Sequence, residues 1–255
     1  MSDPEARIRR FRRALFERVS TRTQPTAFGT AYFQDDFPRR YDSNFIWIDV
    51  SLAGVSADAL ASEADRVQAG LGHRHLYVTD EEHGRRLLPD LVSLGYRGEL
   101  LLTMIQAREP DHADDDLAEE AEAGEIGPFL VRVNREADGG AYAADAEMLS
   151  AFRHVLAERA AARFLVVRSR AEIVAIAELY ALGEVGQVEA VYTLEAFRGR
   201  GFGRAVVLAA SRAAREAGAD LVFLNADDED WPKHLYDKLV FDEVGRFWSF
   251  VKSPD

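Results

Sequence analysis

Apolar positions along the chain switch between two spacings. Alternation every second residue predicts a strand, and recurrence at three and four predicts a helix. In the second half, "FLVRVNR" (129–135) reads as a strand. "AEMLSAFRHVLAERAA" (146–161) reads as a helix through Met148, Leu149, Phe152, Val155 and Leu156. "RFLVVRS" and "EIVAIAELYAL" are β-rich and separated by a short turn, and "QVEAVYTL" (187–194) is a further strand. Residues 203–217 form a helix that Gly218 is placed to stop. "DLVFLNA" is a buried-type strand, "WPKHLYDKLVF" a short helix and "RFWSFVK" a last strand. The predicted order is β-α-β-β-β-α-β-α-β, an α/β sheet with helices on both faces.

The first half echoes the end of that order. "NFIWIDV" (44–50) predicts a strand, "ADALASEADRVQAGL" (57–71) a helix and "HRHLYVTD" a strand. "GRRLLPDLVSLGY" then predicts a helix and "ELLLTMI" a strand. "LVSLGYRGELLLTMI" (91–105) parallels "LYDKLVFDEVGRFWSFV" (235–251), which implies an internal duplication with two related sheets. Ahead of this, Ile8, Phe11, Leu15 and Val19 share one face of a helix with arginines between them. The seam is "EPDHADDDLAEEAEAGE" (109–125), too acidic to bury, which predicts a linker or an exposed acidic helix. The expected domains are therefore 1–108 and 126–255, joined by 109–125.

Charge and composition narrow the function. The net charge of −13 opposes general nucleic-acid binding and favours a cationic partner. With no cysteine, disulfides, thiolate metal sites and thiol nucleophiles are excluded. No apolar run approaches the roughly 20 residues of a membrane span, and the N-terminus lacks the apolar core of a signal peptide. A cytoplasmic protein with no membrane partner is expected. His73, His75, Asp80 and His83 contain metal-ligand types, but no further cluster completes a set, so no metal is expected.

The densest chemical signal is "RGRGFGR", residues 198–204, between a strand and a helix. A helix N-terminus offers unpaired N–H groups and about half a positive charge. Gly199, Gly201 and Gly203 let an anion approach the backbone, and Arg198, Arg200 and Arg204 add cationic donors. Together they predict a phosphate site, most simply for a pyrophosphate. It is not a P-loop, which ends Gly-Lys-Ser/Thr, nor the G-x-G-x-x-G dinucleotide fingerprint, because Arg204 holds the third place. The corresponding "SLAGVS" of the first half has one glycine and no arginine.

What the loop does fit is R-x-x-G-x-G, as Arg198, Gly201 and Gly203. With "LYDKLVF" and the nine-residue step from Glu189 to Arg198, residues 164–251 resemble the GNAT superfamily of acyl-CoA-dependent N-acyltransferases. The duplication resembles tandem members in which one copy has lost its cofactor loop. Thr193 stands where an aliphatic residue is commoner, and Val240 where the family usually has glycine. The resemblance implies two related GNAT-like mixed-sheet domains, the C-terminal one complete. It implies acetyl-CoA as co-substrate, its pyrophosphate on the 198–204 loop and its pantetheine arm along Tyr192 and Thr193.

Transfer to an amine needs a base, and the departing thiolate needs a proton. Glu189 is a carboxylate in a strand expected to be covered on both faces, where burial raises its basicity, so it is the candidate base. Glu178 on the preceding strand is the alternate. Tyr236 matches the family's acid. Asn225, past the strand "LVFL", is placed to hydrogen-bond the pantetheine, and Trp231 and Pro232 to wall the site. The reading is an N-acetyltransferase that joins acetyl-CoA and a small-molecule or peptide amine in a ternary complex. The protein would act as a monomer, a pseudo-dimer of two halves, or as a homodimer. The alternative is a non-catalytic acyl-CoA sensor.

Overall fold

A computed structural model describes residues 3–108, 117–136, 142–228 and 232–254. It divides by contact into two compact units that are not consecutive in sequence. Unit I holds 1–15, 104–225 and 231–243; unit II holds 16–103, 226–230 and 244–255.

Unit II carries β1 (Arg22–Thr26), β2 (Gly29–Phe33), β3 (Phe45–Ile48), α2 (Ala57–Val67), β4 (Arg74–Val78) and α3 (Glu81–Ser93). To these it adds most of β5 (Arg97–Gln106) and β11 (Phe241–Lys252). Its strands lie in the order β1-β2-β3-β4-β11-β5. Strands β3 and β4 are parallel, and β11 runs antiparallel to β4, Trp248 facing Val78. Leu60, Ala64, Leu87 and Leu91 of the two helices pack with Ile46, Ile48, Leu76 and Phe250 in one core. The Trp248 indole donates to Glu81 O at 3.0 Å, and a Cβ on Gly84 would come 2.1 Å from its ring. Only glycine therefore lets α3 approach β11.

The two histidines of "HRH" are structural. His73 Nε2 lies 3.1 Å from Asn44 O, and its ring stacks on Tyr41 at 4.0 Å. His75 lies 3.1 Å from Tyr41 O through Nδ1 and 3.0 Å from Ser249 Oγ through Nε2. Both are buried, and burial lowers both pKa values, His73 to about 4. Among the described residues no group of three or more His, Cys, Asp or Glu could hold a metal ion. Nor, among them, is any helix long and apolar enough to cross a membrane.

Unit I carries most of α1 (Pro4–Val19), then β6 (Ala118–Ala121), α4 (Ala123–Glu136), α5 (Ala146–Ala160), β7 (Arg163–Ser169) and β8 (Glu172–Leu182). There follow β9 (Val185–Thr193), α6 (Phe202–Glu216), β10 (Leu221–Asp227, to Asn225 in this unit) and α7 (Pro232–Lys238). Its strand order is β5-β10-β9-β8-β7-β6. Helix α1 joins this unit through Phe11, edge-on to Phe223 of β10 at 5.4 Å.

Two expectations are corrected here. Residues 129–135 are not a strand but part of α4. Ile126, Phe129, Leu130 and Val133 are its buried positions, a helical stripe that a seven-residue window starting at Phe129 hides. The acidic stretch is not wholly linker or helix: residues 118–121 form β6, antiparallel to β7. Its carboxylates are matched by β7 arginines. Arg163 grips Glu120 with two nitrogens at 2.9 and 2.7 Å, and Arg168 meets Glu119 at 2.5 Å. Residues 123–125 of the run open α4, and 109–116 lie outside the described residues.

Candidate active site of unit I

The site is built where two parallel strands part. Strands β9 and β10 pair from Val185 with Leu221 to Val188 with Leu224. Both continue, β9 to Thr193 and β10 to Asp227, with no further pair between these two strands among the described residues. On its other side β9 meets β8 with a register shift: Glu178 faces Glu189, but Ile176 faces Tyr192. The extra residue is a bulge, and Ala190 sits in it with φ of 49°. Beyond Glu189, then, β9 has backbone groups that β10 does not take.

Strand alternation sorts the side chains around this break. Gly186 faces α6, since a Cβ there would meet Ala214 at 2.7 Å. Gln187 and Glu189 point to the opposite face. Their cross-strand partners Tyr180 and Glu178 share it. Helix α5 covers β8 on that face. The Arg153 Nε donates to Glu178 Oε1 at 2.7 Å, and the Tyr180 hydroxyl donates to Oε2. Glu178 is 0% exposed. Burial first, and the Glu178 charge second, hold the Tyr180 phenol well above its usual pKa. Glu178 is one half of a buried ion pair. Glu189 lies at the break, half-buried, with Gln187 Nε2 donating to its Oε2 at 2.6 Å.

Thr193 closes β9 toward α6. A turn at Glu195–Phe197 leads to Arg198, Gly199 and Arg200, all exposed, and then to α6. Gly199 and Gly201 take φ of 73° and 81°, a region glycine enters without strain, and a Cβ on either would meet nothing within 4 Å. Gly201 is the N-cap, no side chain caps the helix, and no acid occupies its first turn. Arg198 donates to Thr193 O at 3.2 Å, with its guanidinium 5.9 Å from the Tyr192 ring centre. Arg200 donates to Ala196 O at 3.2 Å. A Cβ on Gly203 would come 3.3 Å from Thr193 Oγ1 and 3.7 Å from Leu235 of α7, so α7 stands beside the first turn of α6. Open glycines, a helix start that no side chain caps and the exposed Arg198 and Arg200 fit a pyrophosphate.

Two further residues have defined places. Tyr236 on α7 is 6% exposed and meets Phe241 edge-on at 6.1 Å. Asn225, on the same face as Phe223 and Gln187, accepts at Oδ1 from Arg12 of α1 at 2.7 Å. Arg12 is 8% exposed, its guanidinium 5.5 Å over the Phe223 ring. Arg12, Arg153, Tyr180 and Gln187 carry no motif. The alternating polar residues of "AELY" and "QVE" were the one signal for Tyr180 and Gln187. Trp231 lies outside the described residues, and Pro232 begins α7.

Residues 128–240 match the model of the acetyltransferase (GNAT) family. Residues 128–240 are a GNAT acetyltransferase domain. A comparison with curated proteins found no match. Among solved structures, a functionally unknown conserved protein from Staphylococcus epidermidis is similar, with TM-score 0.71 and 17% identity. It covers 91% of this chain and 93% of its own. A GCN5-related N-acetyltransferase from Kribbella flavida has TM-score 0.62 and 17% identity, over 96% of this chain and 95% of its own. One from Sphaerobacter thermophilus has TM-score 0.58 and 16% identity, over 85% and 74%. At these identities the likeness is one of fold. The GNAT domain coincides with the parted strands, the 198–204 loop and α7. In unit II, the segment after β3 has no such opening. Leu52 is fully buried, and Arg86 donates to Leu52 O at 2.8 Å and to Val55 O at 3.0 Å.

Proposed function

We propose that the GNAT domain moves an acetyl group from acetyl-CoA to a primary amine by direct attack in a ternary complex. Acetyl-CoA would supply the activated thioester. The N–H groups of α6's first turn, with Arg198, Arg200 and Arg204, hold the pyrophosphate between Gly199, Gly201 and Gly203. The β9 backbone around Tyr192 and Thr193, freed from β10, aligns the pantetheine arm, and Asn225, held by Arg12, borders it. Glu189 takes the proton that the amine loses as its nitrogen bonds to the carbonyl carbon. Tyr236 gives a proton to the sulfur as the C–S bond breaks. A small-molecule or peptide amine is the acceptor, with no nucleic-acid, membrane or metal partner, in a cytoplasmic protein.

The observation that carries this reading is the coincidence of three features on one strand: the bulge at Ala190, the parting from β10, and a carboxylate at the break. A non-catalytic acyl-CoA sensor would need the loop but not Glu189. The test is a thermal shift with acetyl-CoA, followed by a free-thiol assay across a panel of amines. Stabilisation with amine-dependent thiol release supports the enzyme. Stabilisation without release from any amine supports the sensor.

A further inference from the structure

In unit II, the outer strand β1 sets one of its charged side chains against the core. Antiparallel pairing puts Arg22 opposite Phe33 of β2, so both side chains leave the sheet on one face. That face meets α2, since Phe33 and Val67 belong to one apolar core. The Arg22 guanidinium lies 3.6 Å from the centre of the Phe33 ring, a cation on an aromatic face. Its Nε donates to Asp35 Oδ1 at 3.1 Å. Thr21 Oγ1 donates to Asp35 Oδ2 at 2.8 Å and accepts from Asp35 N at 3.0 Å. The Thr21 bond first, and Arg22 after it, hold Asp35 below its usual pKa, so the pair stays charged. The guanidinium is thus fixed at Nε and on one face. Among the described residues no acceptor takes its two terminal nitrogens.

Beside this guanidinium is a cavity of about 290 Å³. It opens to solvent along Arg22 and Asp35, whose side chains are half-exposed. Phe33, Pro38, Val67 and Leu71 give it apolar walls. The polar groups around it are largely engaged. Gln68 donates through Nε2 to Asn44 O at 3.0 Å and accepts at Oε1 from His75 N at 3.2 Å. The carbonyls of Gln68 and Leu71 accept from Arg74 at 3.1 and 2.9 Å. Both Asp35 oxygens already have donors. What is left for a ligand is a cationic donor edge beside apolar walls. The planar fork of a guanidinium matches a carboxylate. The volume lies at the lower end of the roughly 300–1,000 Å³ of small-molecule sites, so the ligand is small.

We propose that this cavity of unit II binds a small apolar monocarboxylate, its carboxylate on the terminal nitrogens of Arg22 and its hydrocarbon against Pro38, Val67 and Leu71. The site is independent of the acyl-transfer reading. The test is a titration of the nitrogen-15-labelled full chain, followed through its backbone amide shifts. Benzoate and hexanoate are the probes, with benzyl alcohol and benzylamine as neutral and cationic controls. Saturable shifts at Asp35, Gly70 and Leu71 are expected with the acids and not with the controls. Arg22→Gln is expected to weaken the acids roughly ten-fold, and Arg22→Lys, which keeps the charge and loses the fork, by less. Tm shows that each variant is folded; should Arg22→Gln fold poorly, Arg22→Lys gives the reading. No saturable shift from either acid up to about 20 mM, above the millimolar Kd of a weak site, overturns the proposal. Unchanged affinity in the folded variants also overturns it, because the acids then bind elsewhere. So does tighter binding of benzylamine, which would make Asp35 the recognising group.

Discussion

Replacing Arg153 by Met tests the buried pair under the active-site face. The substitution keeps an unbranched side chain of similar reach on α5 but removes the guanidinium 2.7 Å from Glu178. The Glu178 side chain is 1% exposed and that of Arg153 13%, so solvent does little to compensate. Losing one partner of a buried pair costs about 3–5 kcal/mol. In a chain of this size that deficit corresponds to roughly 6–20 °C in Tm. Calorimetry at neutral pH measures it. A second change, Glu178→Gln, still accepts from Tyr180 and is expected to restore at least half of the loss. A Tm within about 2 °C of wild type, or no recovery in the double variant, refutes a charge-compensating role for Arg153.

Other consequences are sharp enough to measure. Arg198→Ala is expected to weaken coenzyme A binding by roughly ten- to a hundred-fold, since charge-assisted contacts contribute about 1.5–3 kcal/mol. Gly203→Asp, which sets a carboxylate at the α6 start within reach of Thr193, should do likewise by calorimetric titration. His73 has a folded pKa near 4, below its ordinary 6.5, so it adds stability above pH 6.5 that is lost as pH falls toward 4. Urea denaturation across that window should show a loss of about 3 kcal/mol that His73→Gln flattens. Val240 holds φ of 63°, a strained region for a β-branched residue. Val240→Gly is expected to stabilise by up to about 1 kcal/mol, read as a raised Tm with cofactor affinity unchanged.

Local chemistry made part of this molecule readable from its sequence. The 198–204 loop announces itself because glycine at positive φ and arginine at a helix start are both short-range requirements. Glu189 is legible as the one carboxylate in the β-rich run "QVEAVYTL". The bulge that isolates it is not, because Ala190 carries no side-chain signal for φ of 49°. Strands β1 and β2 had no expectation, since "RTQPT" lacks alternating apolar residues and holds a proline. Strand β6 was hidden because Ala121 is its one buried position and its carboxylates pair with Arg163 and Arg168 of β7, distant in sequence. Arg12 and Arg153 are the clearest omissions. Each reaches its partner from a helix 213 or 25 residues away in sequence, and no local pattern encodes such pairing.

Turnover of Glu189→Gln tests the central claim most directly. The variant keeps the shape of the side chain but cannot take a proton. It is measured by thiol release at saturating acetyl-CoA with the amine that serves the wild type best, beside Tyr236→Phe as a probe of the acid. The account predicts a fall in kcat of about a hundred-fold or more for Glu189→Gln. Acetyl-CoA affinity and Tm should stay near wild type. A smaller fall is predicted for Tyr236→Phe, because water can protonate a thiolate. Wild-type turnover in Glu189→Gln, with the protein folded and the cofactor bound, would contradict the assignment of the base at the parting of β9 and β10.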